Sequence, residues 1–583
     1  GSVEETLAVS MMPSQHDEDI FGINLIEDSQ YKDILFIWTV KQQFYEFAKQ
    51  FVMPEPKPKD NIHFEQIKKV ITAMIIWLVQ SDDPDPVTRE GIADTRRQQM
   101  LREQHILDMA FEAGQLPLAD TTLEKMINFP KTLRSAAPFR LSDLEAANRS
   151  QPDNARLHYM ILLSLRLASH IMRGNTANRL YVMKMGFVPL MEKQLGYALK
   201  VAPTLTEVYA DNEVLLDLVE ESSIKTFLDL IRHTGREARY IDFLITLCLA
   251  NGKAVRKNQW KVCNMLIKDR PELLVKLQLE ESSVIVSGDP AYFPKLAKPL
   301  ELCEWLSTTD KVTRAYFEKC LFLYGLLVLG RNLKNTPLLR QLLPYELLLH
   351  VVRDEKMKES HLNVCAAFVS IIRLLYVDNS PHDKLTNVET VRIWDNVSLE
   401  SSTHQLTSRT TSVLAIDWAY FEGLKSTLEE FIASDDQYQN ATRVLKNNMI
   451  LQMLMVMACL IEAGFYEKED IERIRVPLLA LLDGRMDKVG VVDASEEGPF
   501  ERCKPWKTNT CDTTVIMDCK SEICKILQLV CTMRLDMRLS LLLRQVGCPA
   551  ALPPCPRHPL TSNPYPPPPL TPPHVPLTHI STP

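Results

Sequence analysis

His382 stands beside Asp383 in SPHDK, the nearest approach in this sequence of a base to a carboxylate that could orient it. Covalent or acid–base catalysis needs a nucleophile, a base within hydrogen-bond reach and a group that holds the base in place. No motif supplies the first of these: the G-x-S-x-G elbow is absent, and so are a Walker A loop, a dinucleotide fingerprint, H-E-x-x-H and an EF-hand loop. A histidine in a turn next to an aspartate is more often solvated than catalytic. The adjacent carboxylates Glu280–Glu281 and Glu429–Glu430 read as helix-surface charge. The thirteen cysteines contain no C-x-x-C pair, and Cys248, Cys365 and Cys459 sit inside apolar helical text. They read as buried free thiols in a reducing compartment, ahead of a disulfide framework or zinc. The residues give no metal site, no cofactor and no enzyme.

The elements that would position any such residues are helices. The chain has 583 residues, 46% hydrophobic and 24% charged, with material for about four domains of ~150 residues. Its net charge of −8 disfavours nucleic acid as the main partner, because phosphate neutralisation needs a basic surface. Eighteen glycines are few for a fold built on tight turns. No stretch reaches the ~20 apolar residues that span a bilayer. CLFLYGLLVLG (320–330) and MILQMLMVMACLI (449–461) read as core helices.

From about Gln30 the text is helical. FEQIKKVITAMIIWLVQ (64–80) sets Ile67, Val70, Ile71, Met74, Ile75 and Leu78 at spacings of three and four. Similar patterns predict helices over 96–112, 156–171, 205–220, 223–233, 238–250, 314–329, 345–353, 361–376, 420–432, 443–463 and 521–545. SSVIVSG (282–288) is the clearest strand. Short polar connections such as NRSQPDNA and NGKAV require neighbouring helices to cover each other's apolar faces. That points to stacked helical hairpins, an α-solenoid without a strict period. Residues 399–411 and 496–512 read as loops. From Gly547 the proline density excludes helix and central strand, leaving a disordered or polyproline tail.

Seven collinear stretches together resemble the cytosolic region of the inositol trisphosphate receptor and ryanodine receptor family of calcium-release channels. They are RRQQMLREQHIL (96–107), MGFVPLMEKQLGY (185–197), ESSIKTFLDLIRHTGREARYIDFLITLCLANGKAVRKNQ (221–259), LLPYELLLHVV (342–352), LLYVDNSPHDKLTNVETVRIW (374–394), GFYEKEDIERIRVPLLALLDG (464–484) and VIMDCKSEICKILQLVCTMRLDMRLSLLL (515–543). The REQ-containing helix and the closing segment are closer to the inositol trisphosphate receptor branch, and NGKAVRKNQ to the ryanodine receptor branch. The first is favoured. The resemblance implies an all-α, armadillo-like solenoid with a short N-terminal β remnant and a disordered proline-rich tail. Residues 1–29 would be the end of a β-trefoil-like segment, 30–275 an armadillo domain of RIH type, 276–545 a second helical domain and 546–583 the tail. It further implies a cytosolic fragment at the endoplasmic reticulum, with sister subunits of a homotetramer as partners and the pore outside these residues.

Inositol trisphosphate needs converging guanidiniums and ammoniums. Ligand-binding relatives would carry basic residues at three positions that share one helix face. Here those positions are Thr95, Gln99 and Arg102, so only one keeps its charge. A second basic cluster is expected near 174–177, where the text is GNTA, with Arg173, Arg179 and Lys184 close by. Arg96, Arg97 and Arg102 are the candidate remnant phosphate site; the commoner reading is a solvated basic helix face. Binding of inositol trisphosphate is therefore expected to be weak or absent. Tyr240, Phe243, Leu244 and Leu247 form a core stripe. Two rival readings are a free-standing armadillo adaptor, whose tail would bind SH3 or WW domains, and a ryanodine receptor-like fragment.

Overall fold

A computed structural model describes residues 27–51, 58–119, 127–129, 137–281, 283–379, 419–433, 439–484, 487 and 514–546, with side chains at 61, 468 and 533–546 outside the description. The expected β remnant up to residue 26, the His382–Asp383 pair, the loops at 399–411 and 496–512 and the tail from 547 lie outside the described residues. The chain divides into two compact units, 1–526 and 527–583. Of the second, the described part is the end of the helix Thr514–Val546.

The first unit is a mostly helical solenoid organised on a central row of helices. In order these are Glu65–Leu78, Pro152–Met172, Val201–Tyr209, Ala238–Cys248, Lys311–Val328, Leu362–Ile372 and Val444–Glu462, each packed on the next. Their composition explains the placement. In Pro152–Met172 every residue from Leu163 onward is buried, and a helix buried all round belongs inside a stack. Helices with one apolar stripe flank the row: Glu221–His233 buries Ile224, Phe227, Leu228 and Ile231 and leaves its charges outward. The same logic applies to Val444–Glu462. Among the described residues this one helix is long and apolar enough to cross a membrane. Here it packs on Leu362–Ile372 and buries Met453, Leu454, Val456, Met457, Leu460 and Ile461.

Side chains close the helix ends. Asp94, Asn175, Asn212 and Asp310 each accept a backbone N–H from the first turn that follows. Two expected helices are broken. The 96–112 pattern divides into Thr95–Glu103 and Ile106–Gln115 at His105, which is left-handed at φ 60°. The 205–220 pattern divides at Asp211 (φ 48°), with Asn212 starting Glu213–Asp217. Hydrophobic spacing continues through a one-residue reversal, so periodicity alone does not show it.

The expected strand is present as Ser283–Ser287, the centre of a three-stranded antiparallel sheet with Lys276–Glu280 and Leu300–Glu301. Glu280 therefore ends a strand and Glu281 (φ 46°) lies in the turn, which corrects their reading as helix-surface charge. NGKAV is a small hairpin, Leu249–Ala250 paired with Lys253–Ala254 across Asn251 and Gly252, both at positive φ.

Candidate functional site

The helix Thr95–Glu103 begins where Asp94 Oδ1 accepts the N–H groups of Arg96 (3.0 Å) and Arg97 (3.1 Å). The three candidate arginines then diverge. Arg97 faces inward: Nε and Nη2 reach the two oxygens of Asp33 at 3.3 and 3.2 Å, and Nη1 reaches the Trp77 carbonyl at 2.6 Å. Its guanidinium also lies 4.4 Å from the Trp77 ring centre. Arg97 thus fastens Asp28–Lys49 to Glu65–Leu78 and to its own helix. Arg102 donates to Asn178 Oδ1 (3.1 Å) and to Glu103 (3.5 Å). Arg96 is exposed, as are Thr95 and Gln99.

The two segments expected to form the phosphate site are adjacent. Buried Gln98 donates to the carbonyls of His170 (2.8 Å) and Arg173 (2.7 Å), and Asn178 donates to those of Gln98 (3.1 Å) and Ile171 (2.8 Å). The basic residues around this junction are paired. Glu90 accepts from Arg166 and Arg173, while Glu207 accepts from Arg173 (3.5 Å) and Arg179 (2.5 Å). Arg166 also donates to the Arg89 carbonyl (2.6 Å) and Arg179 to that of Ala210 (2.5 Å). Burial works to raise the Glu90 pKa, but the hydrogen bonds from Arg166 and Arg173 together outweigh it and hold it below the usual carboxylate range. His170, fully buried, is held at about 3 by burial and then by repulsion from Arg166 and Arg173, so it adds no charge.

Two carboxylates thus sit among three guanidiniums, and carbonyls take further donors. An anion arriving here would have to displace internal partners before gaining its own. Arg166, Glu90 and Glu207 were not singled out from the sequence. The available signal is Arg166 itself, a lone charge within the apolar run ILLSLRLASHI (161–171). Buried charges require partners, though nothing local identifies them.

A second polar cluster lies on Ile106–Gln115. Asp108 and Glu112 are both fully buried one turn apart. Asp108 accepts from Tyr181 Oη (2.9 Å) and lies 2.9 Å from His105 Nδ1. Glu112 accepts the backbone N–H groups of Ile127 (2.5 Å) and Asn128 (3.2 Å). Burial raises the Glu112 pKa from 4.5 to about 7 and raises that of Asp108 in the same direction. Between pH ~4.5 and ~7 the folded chain therefore binds more protons than the unfolded chain, and stability falls as pH rises through that window. Glu112→Gln, which stays neutral, is expected to flatten this part of the pH profile of urea unfolding. An unchanged slope would contradict the assignment.

Among the described residues no group of His, Cys, Asp and Glu could hold a metal ion. A recess of about 680 Å³ is lined by Glu213, Val214, Asp217, Leu218 and Lys253, without a base–nucleophile pair. The described cysteines are unbridged; Cys248 and Cys365 are buried, while Cys459 is only half-buried. Burial pushes the Cys365 thiol up to about 12, so it is not a reactive thiolate near neutral pH. The predicted stripe Tyr240, Phe243, Leu244 and Leu247 is buried as a core face.

Residues 78–279, which contain both polar clusters, match the RIH domain family. The chain is 23% identical over 361 residues to inositol 1,4,5-trisphosphate receptor-like protein A of Dictyostelium discoideum, covering 59% of this chain and 10% of that protein. It is 20% identical over 499 residues to inositol 1,4,5-trisphosphate receptor itr-1 of Caenorhabditis elegans, covering 80% of this chain and 16% of that protein. The chain thus spans a small fraction of the length of these relatives. An RIH match on a helical solenoid, together with relatives of these names, makes the chain similar to inositol trisphosphate receptor-like proteins and supports the resemblance carried by its sequence.

Proposed function

We propose that this chain is a non-catalytic regulatory segment of an inositol trisphosphate receptor-like calcium-release channel. It passes conformational change along its helical stack toward a pore outside these residues, and it does not itself hold the ligand. Its place is then the cytosolic face of the endoplasmic reticulum, beside sister subunits of a homotetramer, with 30–275 and 276–545 as successive helical domains. The observation that carries this reading is the pairing of Arg97, Arg166, Arg173 and Arg179 with Asp33, Glu90 and Glu207. These cations hold neighbouring helices together, which suits an element that moves as a body. Arg96 is exposed, and Arg102 is half-buried and bonded to Asn178 and Glu103, which leaves too little free positive charge for a multiply charged phosphate ligand.

Calorimetry of the chain with inositol trisphosphate is expected to show no association in the micromolar range, where binding would be worth about −8 kcal/mol. Micromolar or tighter binding that is lost on Arg102→Ala would overturn this reading.

A further inference from the structure

The strand Lys276–Glu280 is the edge of its sheet and reads K-L-Q-L-E. It pairs on one side with Ser283–Ser287 in the register Lys276–Ser287, Gln278–Ile285 and Glu280–Ser283. The loop has two residues, so Glu280 and Ser283 are the hydrogen-bonded closing pair, and bonded pairs then recur at Gln278 and Lys276. The N–H and C=O groups of Leu277 and Leu279 therefore face away from the sheet. Among the described residues no backbone bond from outside the sheet reaches either of them. Lys276, Gln278 and Glu280 are exposed. Leu279 is 39% exposed, although Leu277 on the same face is 7% exposed.

The pattern is self-complementary. Laid antiparallel about Gln278, a second copy of this strand sets Lys276 opposite Glu280 twice, Leu277 opposite Leu279 twice, and Gln278 opposite itself. The outward groups of the Leu277–Leu279 pairs then exchange four backbone hydrogen bonds, and Gln278 falls at a non-bonded position on the two-fold axis. Opposite charges directly across a strand pair are favourable. The pairing also covers the exposed Leu279. A lysine on an edge strand ordinarily discourages association; here the same strand supplies the glutamate that answers it, and this register forms both ion pairs at once. In-register parallel pairing would oppose Lys276 to Lys276 and Glu280 to Glu280.

We propose that two copies of this chain associate through the Lys276–Glu280 edges, forming a continuous antiparallel sheet across a two-fold axis. The contact is isologous, whereas a ring of four is closed by head-to-tail contacts. It therefore joins one assembly to another and stands independently of the proposed channel role. Five residues per side make a small interface, so association is weak, with a dissociation constant on the order of 100 µM.

The test places a cysteine on the axis. In the full chain, Gln278→Cys sets two thiols at a non-bonded strand pair, about 4.5 Å apart at Cα. Mild oxidation at high protein concentration is expected to give a disulfide-linked dimer that the parent chain, with its native cysteines, does not give. Lys276→Glu in the Gln278→Cys background opposes like charges twice and is expected to cut the yield about tenfold. Adding Glu280→Lys restores the charge pairs and the yield. Sedimentation velocity over a concentration series should rank the same charge variants without the cysteine in the same order. The proposal is overturned by absence of the Gln278→Cys dimer, by a yield that ignores Lys276→Glu, or by failure of the charge swap to restore it in a chain whose circular dichroism is unchanged.

Discussion

Glu207→Ala is expected to destabilise the first unit by about 3 kcal/mol, measured as a shift in the urea midpoint at constant slope. Glu207 is 15% exposed and Arg179 only 6%, so the substitution leaves a guanidinium largely out of water with a single carbonyl partner. Removing one member of a buried pair costs far more than the pair contributes, because the surviving charge keeps its desolvation penalty. The estimate sits at the low end of the usual range because Arg173, the other partner, is 31% exposed and can turn to solvent. Glu90→Ala is expected to act in the same direction: Glu90 itself is 62% exposed, but its loss leaves Arg166, 8% exposed, with the Arg89 carbonyl as its remaining partner. A cost for Glu207→Ala below ~1 kcal/mol would mean that Arg179 is solvated in the folded chain.

The second large effect is expected at Phe243. Its ring stacks on Phe227 with centroids 3.7 Å apart and planes 10° apart, and meets Tyr209 edge-on at 5.8 Å. It is 1% exposed, in the helix that joins Val201–Tyr209 to Lys311–Val328 in the central row. Phe243→Ala is expected to cost about 3–5 kcal/mol, from the lost transfer energy and the cavity left between three helices. Because a helical stack is held by nearest-neighbour contacts, the loss should be local. Hydrogen exchange is expected to accelerate most in Ala238–Cys248 and Glu221–His233, and least in Val444–Glu462. Uniform acceleration along the whole unit would show that it unfolds as one cooperative body.

Much of this architecture was legible in the text. Of the stripe read over 64–80, Ile67, Ile71, Met74, Ile75 and Leu78 are buried and Val70 is half-buried, and Tyr345–Arg353 begins and ends where the pattern does. The candidate site was legible only in part. Arg96, Arg97 and Arg102 lie in one helix, and the sequence gives them similar standing. Their fates nevertheless differ, because Asp33, 64 residues upstream of Arg97, takes one of them. Asn178, 76 residues downstream of Arg102, takes another.

What the sequence by itself determined is the class of fold and the family it resembles. Apolar spacing, helix-starting Asp and Asn residues and short polar connections all act within one or two turns, so they are written locally and can be read locally. Only the tertiary structure decided which charges are available. Arg166 and Arg173 meet Glu90 across 76 and 83 residues of chain, and no local pattern encodes a pairing over that distance. The same holds for K-L-Q-L-E. Its symmetry is visible in the text, but its meaning depends on the strand lying at a sheet edge with the backbone groups of Leu277 and Leu279 directed away from the sheet. That is set by which neighbour takes the other side: a hydrogen-bonding group is free only when the fold has left it without a partner.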